Sequence, residues 1–184
     1  LLSAAAHLLV SSPQYVRRYE TNIQNGINPA RWWEYAFSSS LMLVVLLMLG
    51  GLIEVSTVVF IFALNFIMNL MGLMMEQYNQ LTEKTNWLAF NIGVFAGIVP
   101  WIALLFYVFG IGGAGETKAP TFVYIIVLTI FLFFNSFALV QWLQYKKVGK
   151  WSDYMRGERT YITLSLIAKS ALAWQIFANT LIPT

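Results

Sequence analysis

YITLSLIAKSALAWQIFANTLI, residues 161–182, is apolar along its whole length apart from a few small polar residues and one charge near its centre, Lys169. A helix that crosses a bilayer needs about 20 mostly apolar residues, and this segment, within the longer run 153–182, meets that need. Working outward from it, the runs 29–50, 54–75, 86–110 and 120–144 qualify on the same ground, and 1–10 is half a span. Asn28-Pro29 reads as an N-cap followed by proline at the first helical position, and Ala119-Pro120 carries the same proline signal. Gly50-Gly51 and the glycine run 110–115 read as stops. With no strand-like alternation, heptad run or soluble linker, the pattern specifies an all-α polytopic membrane bundle, one transmembrane domain over 1–184.

Composition agrees. The chain is 59% hydrophobic and 10% charged, with a mean hydropathy of +0.67, whereas soluble domains carry about 25% charged residues. The net charge of +3 does not point to nucleic acid, because the basic residues sit in loops between apolar spans. Arg17, Arg18, Arg31, Lys84, Lys146, Lys147, Lys150, Arg156 and Arg159 fall on one side of the bundle, and Lys118 alone on the other. The excess of lysine and arginine in cytoplasmic loops makes the first side cytoplasmic and the C-terminus extracellular. There is no cysteine, which excludes disulfides and thiolate metal sites. No metal cluster, phosphate loop or nucleophile triad is visible, so the expectation is a protein that is not an enzyme.

Lys169 needs an explanation. A lysine near mid-bilayer costs roughly 2.5–3.5 kcal/mol on insertion scales. Two arrangements relieve that cost: an interhelical ion pair, or a covalent bond that consumes the amine. Desolvation favours a neutral, nucleophilic amine, the condition for a Schiff base with an aldehyde. Glu34, in the run Arg31-Trp32-Trp33-Glu34-Tyr35, is the natural partner under either reading. Both residues enter from the same face, and at about 1.5 Å per residue their depths differ by several ångström. A carboxylate there would balance a protonated imine. The plainer alternative for Glu34 is a carboxylate near the start of its helix that favours the dipole and pairs with Arg31.

Polar residues gather at helical spacing around the pair: Ser165 a turn before Lys169, Ser38 a turn after Glu34, Asn65 and Asn69 on one face, and Gln141 late in its span. Singly, each serves helix packing; together they outline a polar, watered cavity. Trp174, about 140° around the helix from Lys169, is placed to flank a ligand, with Phe134, Phe137, Trp101 and Met68 as an apolar sleeve. His7, the single histidine, reads as a packed polar residue.

These residues carry a resemblance. Arg31-Trp32-Trp33-Glu34-Tyr35-Ala36 with Ser38-Ser39 is similar to the third-helix motif of heliorhodopsins. Ser165 through Gln175 resembles their seventh helix, and Tyr15 through Glu20 with Gly26-Ile27-Asn28 resembles the loop between their second and third. The resemblance implies seven helices in inverted orientation, of which the first and most of the second precede Leu1. It implies all-trans retinal on Lys169 as a protonated Schiff base, with Glu34 as counterion and Ser165 bonded near the pair. His7 would line a polar cluster beside it, and Asn65, Met68, Phe134, Gln141 and Trp174 would contact or border the retinal. It further implies a homodimer in the bilayer and slow light-driven signalling to a cytoplasmic partner not identified by the sequence.

Two other functions compete: a light-driven or light-gated ion transporter, and a non-photic membrane protein in which Lys169 and Glu34 form a salt bridge. Proton pumps of this architecture carry a second carboxylate about three turns along the third helix. That position here is Val45, and Glu54 and Glu76 lie at span ends. The expectation is therefore a light sensor that does not pump.

Overall fold

The computed structural model describes residues 2–110 and 120–180. The glycines past Gly110, Lys118, Leu1 and the last residues of the final expected span lie outside them. The described residues form seven α-helices and no strand: α1 (Leu2–Ser11), α2 (Val16–Gln24), α3 (Pro29–Leu49), α4 (Val55–Asn79), α5 (Leu88–Phe109), α6 (Thr121–Tyr145) and α7 (Tyr154–Thr180), with a 3-10 turn at Gly149–Ser152. Five of them, α3 to α7, are long and apolar enough to cross a membrane. The chain is an integral membrane helical bundle.

Helix starts follow local chemistry. Asn28 caps α3, its side chain accepting from the Arg31 N–H at 3.1 Å, with Pro29 in the first helical position. Glu54 caps α4 by accepting from the backbone N–H groups of Ser56 and Thr57. At its other end, α5 stops on Gly110, whose φ of 64° is left-handed and suits glycine.

One element was not expected. Residues 16–24 read as loop because the stretch is short and polar, yet they form α2. Val16, Tyr19 and Ile23 lie half-buried on one face while Arg17 and Arg18 stay exposed. That is amphipathic spacing compressed into two turns. Since α2 does not span, the seven helices here are not seven crossings.

The spans pack antiparallel in sequence: α3 against α4, α4 against α5, α6 against α7, with α3 also touching α5 and α6. One end of the bundle is filled by an apolar cluster that includes Leu43, Leu46, Leu47, Ile61, Leu104, Val108, Val123, Ile126, Ile130 and Leu172. The polar residues collect at the other end, where α3, α5 and α7 begin. There α3 and α4 are clamped by Asn65, whose Nδ2 donates to the hydroxyls of Ser39 (2.8 Å) and Ser40 (3.0 Å), and by Asn69 donating to Ser39 (3.0 Å). A turn closer to that end, the Trp32 ring lies flat against Gly72, so close that a Cβ at 72 would stand 2.1 Å from Cζ3.

Candidate functional site

Helices α3 and α7 start at the same end of the bundle, and their side chains meet across the space between them, Arg31 with Glu158, Tyr35 with Tyr161 and Glu34 with Lys169. Lys169 Nζ donates to Glu34 Oε1 at 2.7 Å. The same oxygen accepts from the Ser3 hydroxyl of α1 at 2.7 Å. The pair is largely withdrawn from solvent, with side chains 23% and 10% exposed. Behind it, Lys169 Nζ stands 5.3 Å from the centre of the Tyr35 ring, and the Tyr35 hydroxyl donates to the Tyr161 carbonyl at 2.8 Å. Tyr35 is thereby fixed as a wall of the site.

The lysine stands between two cavities, and both are lined by Lys169, Tyr35, Ser165 and Arg31. The first extends among α3, α4, α5, α6 and α7. Its wall is mostly apolar, with Met42, Met68, Phe90, Phe134 and Phe137 against the small residues Gly93 and Ala138. The second lies toward α1 and α2 and is more polar, bordered by Ser3, His7, Tyr19, Asn28 and Glu34. An amine at one end of an apolar, aromatic-walled cavity, with a carboxylate on the side away from it, suits an elongated apolar aldehyde. Two buried polar atoms in the first cavity, Ser38 Oγ and Gln141 Nε2, have no hydrogen-bond partner, so its wall retains unused polar contacts for a ligand. The residues present fit the retinal that the resemblance implies.

Of the expected site residues, Ser38, Met68, Phe134, Gln141, Ser165 and Lys169 line the first cavity, and His7, Glu34, Ser165 and Lys169 the second. Two expected residues are not brought to it. Asn65 is buried but spends its amide on Ser39 and Ser40, and its neighbour one turn on, Asn69, takes the cavity-lining position. Trp174 is 68% exposed, rests edge-on against Phe177 at 5.8 Å and borders neither cavity. Its 140° offset carries it past the flank of the site and out of the bundle. Trp101, expected in the sleeve, packs against Phe131 and Phe134 behind the cavity wall.

Arg31 is a further correction. It does not pair with Glu34. Its guanidinium reaches Glu76 Oε1 at 2.5 Å and Glu158 Oε1 at 3.0 Å, and is held between the rings of Trp32 (4.3 Å) and Tyr161 (4.1 Å). A buried, paired arginine is not a loop charge, so it drops out of the count that orients the bundle. Glu76 and Glu158 are the carboxylates that sequence reasoning missed. The signal was present in helical spacing: Glu158 begins the stripe Tyr161, Ser165, Ala168, Leu172, and Glu76 ends the stripe Ile61, Asn65, Asn69, Leu73.

The family model described as Heliorhodopsin matches residues 1–181. No curated protein gives a significant match.

Proposed function

This chain belongs to the heliorhodopsin family, and from that premise we propose that it is a light sensor which binds all-trans retinal on Lys169 as a protonated Schiff base. Membership in a rhodopsin family implies a retinal chromophore in an integral membrane protein. The finer assignment is supported above all by one observation, the 2.7 Å contact between Lys169 Nζ and Glu34 Oε1 at the mouth of an apolar cavity.

When bound, retinal supplies a light-absorbing polyene whose isomerisation displaces charge at the lysine nitrogen. The chain's own residues do the rest. Glu34 holds the positive charge at Lys169 Nζ, since an opposite charge within about 4 Å favours the protonated form. Ser3 fixes the carboxylate by donating to the same oxygen. Tyr35 is anchored through its hydroxyl and blocks lateral escape of the lysine. Ser165, which borders both cavities, would bond near the pair. Met68, Phe134 and Phe137 exclude water from the polyene's course. His7 borders the polar cavity beside Glu34, in keeping with a polar cluster next to the pair. The reading includes a homodimer, a cytoplasmic signalling partner and an extracellular C-terminus, the last resting on the basic loops that remain after Arg31 is set aside.

The test is a visible absorption spectrum after adding all-trans retinal to the protein in detergent, beside Lys169→Ala. A visible band in the parent that hydroxylamine bleaches under light, and no band in the variant, is the expected result. Equal colour in both would end the assignment of Lys169.

A further inference from the structure

The cluster around Arg31 contains one cation and two carboxylates. Glu76 Oε1 and Glu158 Oε1 lie 2.5 and 3.0 Å from Arg31 Nη2, and Glu158 Oε2 accepts from Arg31 Nε at 3.2 Å. Asn28 satisfies the outer oxygens, its backbone N–H donating to Glu76 Oε2 at 2.9 Å and its Nδ2 to Glu158 Oε2 at 2.7 Å. All three charged side chains are 2–4% exposed. The other titratable groups that face them are phenols: Tyr19 from α2, Tyr35 from α3, Tyr145 from α6, and Tyr154 and Tyr161 from α7. A phenol is an uncharged group at neutral pH. No second cation is among these neighbours.

Fully ionised, the cluster would therefore carry one uncompensated negative charge out of contact with water. A buried carboxylate in that position takes up a proton and becomes neutral. The hydrogen bonding has room for one. Glu158 Oε1 meets Arg31 Nη2 as an ion pair at 3.0 Å but, like the buried Tyr154 hydroxyl, makes no well-directed hydrogen bond, so a carboxyl proton can be accommodated there.

We propose that Glu76 and Glu158 together hold one proton in the resting protein, forming a proton-storing site separate from the Lys169–Glu34 pair. The proton belongs to the carboxylate pair and not to either residue alone, as expected for strongly coupled acids. Arg31 is the link to the lysine site, because it borders both of the cavities that Lys169 borders. A movement of the Arg31 guanidinium changes the charge seen by the stored proton, and uptake or loss of that proton changes the field along the wall of both cavities.

The experiment is infrared spectroscopy of the whole protein at neutral pH, without added retinal and with 13C-glutamate labelling to identify the band. The expected result is one protonated-carboxyl C=O stretch per chain, lost in Glu76→Gln and in Glu158→Gln and kept in Glu34→Gln. Either single amide variant leaves one carboxylate for one arginine, so no proton is required. No such band in the parent would overturn the proposal, as would a band that survives in either amide variant or disappears in Glu34→Gln. Should an amide variant lose its helical circular dichroism, Glu76→Asp or Glu158→Asp takes its place. The acid is then retained, and under the proposal the band shifts; an unmoved band in both aspartate variants overturns it.

Discussion

Gly72→Ala tests the packing that walls the site. The new methyl would lie 2.1, 2.2 and 2.8 Å from Cζ3, Cη2 and Cε3 of Trp32. Carbon atoms prefer about 3.5–4.0 Å, so the ring must retreat by roughly 1.4 Å or more. It has little room. Trp32 is 6% exposed, its face is taken by the Arg31 guanidinium at 4.3 Å and a neighbouring ring, Tyr161, stands at 6.4 Å. Overpacking a tight core costs typically 1–3 kcal/mol, and a rigid indole clamped on its other face places this case at about 2–3 kcal/mol. The assay is SDS-driven unfolding of the detergent-solubilised protein followed by circular dichroism, run as a cycle with Trp32→Leu, which removes the three crowded atoms. In the leucine background Gly72→Ala should cost at least about 1 kcal/mol less, within the coupling range for residues in contact. A Gly72→Ala protein of parental stability, or an equal cost in both backgrounds, would refute the reasoning.

Three other outcomes are expected. Glu34→Gln shifts the visible band of the retinal-bound protein to the red, because a neutral partner no longer localises positive charge at the lysine nitrogen; an unchanged spectrum removes Glu34 from that role. Asn65→Ala lowers stability by about 1 kcal/mol in the same unfolding assay, two interhelical hydrogen bonds at roughly 0.6 kcal/mol each, while leaving the absorption maximum in place; a spectral shift would return Asn65 to the ligand's border. At the exposed cap of α4, hydrogen bonds from Ser56 and Thr57 hold the Glu54 carboxyl down to about 2, from an ordinary value of 4.5. A depressed carboxyl stabilises the fold above its unfolded value and loses that contribution as pH falls toward 2. The melting temperature of the parent should thus exceed that of Glu54→Ala near neutral pH and converge with it in acid. A constant gap down to pH 2 would count against the cap.

Much of this was legible in the sequence, for identifiable reasons. The five spans follow from hydropathy, which reports the length of an apolar run directly. The Lys169–Glu34 contact follows from depth, since two residues entering from one face at a known rise per residue must come level. Arg31, Glu76 and Glu158 were misread together. Each stands near a span end among charged or polar neighbours, where a linear reading assigns it to solvent, and only the helical stripe tells the inward charges from the outward ones. In α7, Arg156 and Arg159 are exposed while Glu158 between them is 3% exposed. Trp174 failed in the opposite sense. An aromatic close in sequence to a buried lysine looks like part of its pocket, but angular offset, not sequence distance, decides which side of a helix faces inward. α2 was lost because nine residues are too few to show a period against a polar background.

The distribution of polarity along α3 bears on whether the bundle could also carry ions. Asn28, Arg31, Glu34 and Ser38 follow one another at helical spacing through its first half, all buried or half-buried. From Leu43 onward the inward positions are Leu43, Leu46 and Leu47, each fully buried in the apolar cluster. The place where a pump of this architecture would carry its second carboxylate, Val45, is 39% exposed, so even an acid there would point out of the bundle. The buried carboxylates that sequence reasoning missed do not repair the gap, because Glu76 and Glu158 meet Arg31 on the side of Glu34 toward the start of α3 and not beyond it. Among the described residues the buried and half-buried charges, Lys169, Glu34 and the Arg31 cluster, lie at one end of the molecule. The other end carries uncharged polar contacts, Gln175 Nε2 donating to Thr129 Oγ1 at 3.2 Å and Asn179 Nδ2 to the Gln175 carbonyl at 2.6 Å, and, among the described residues, no buried carboxylate. Charges confined to one end, with no buried carboxylate beyond them, support the proposed change of shape at one membrane face over transfer across it.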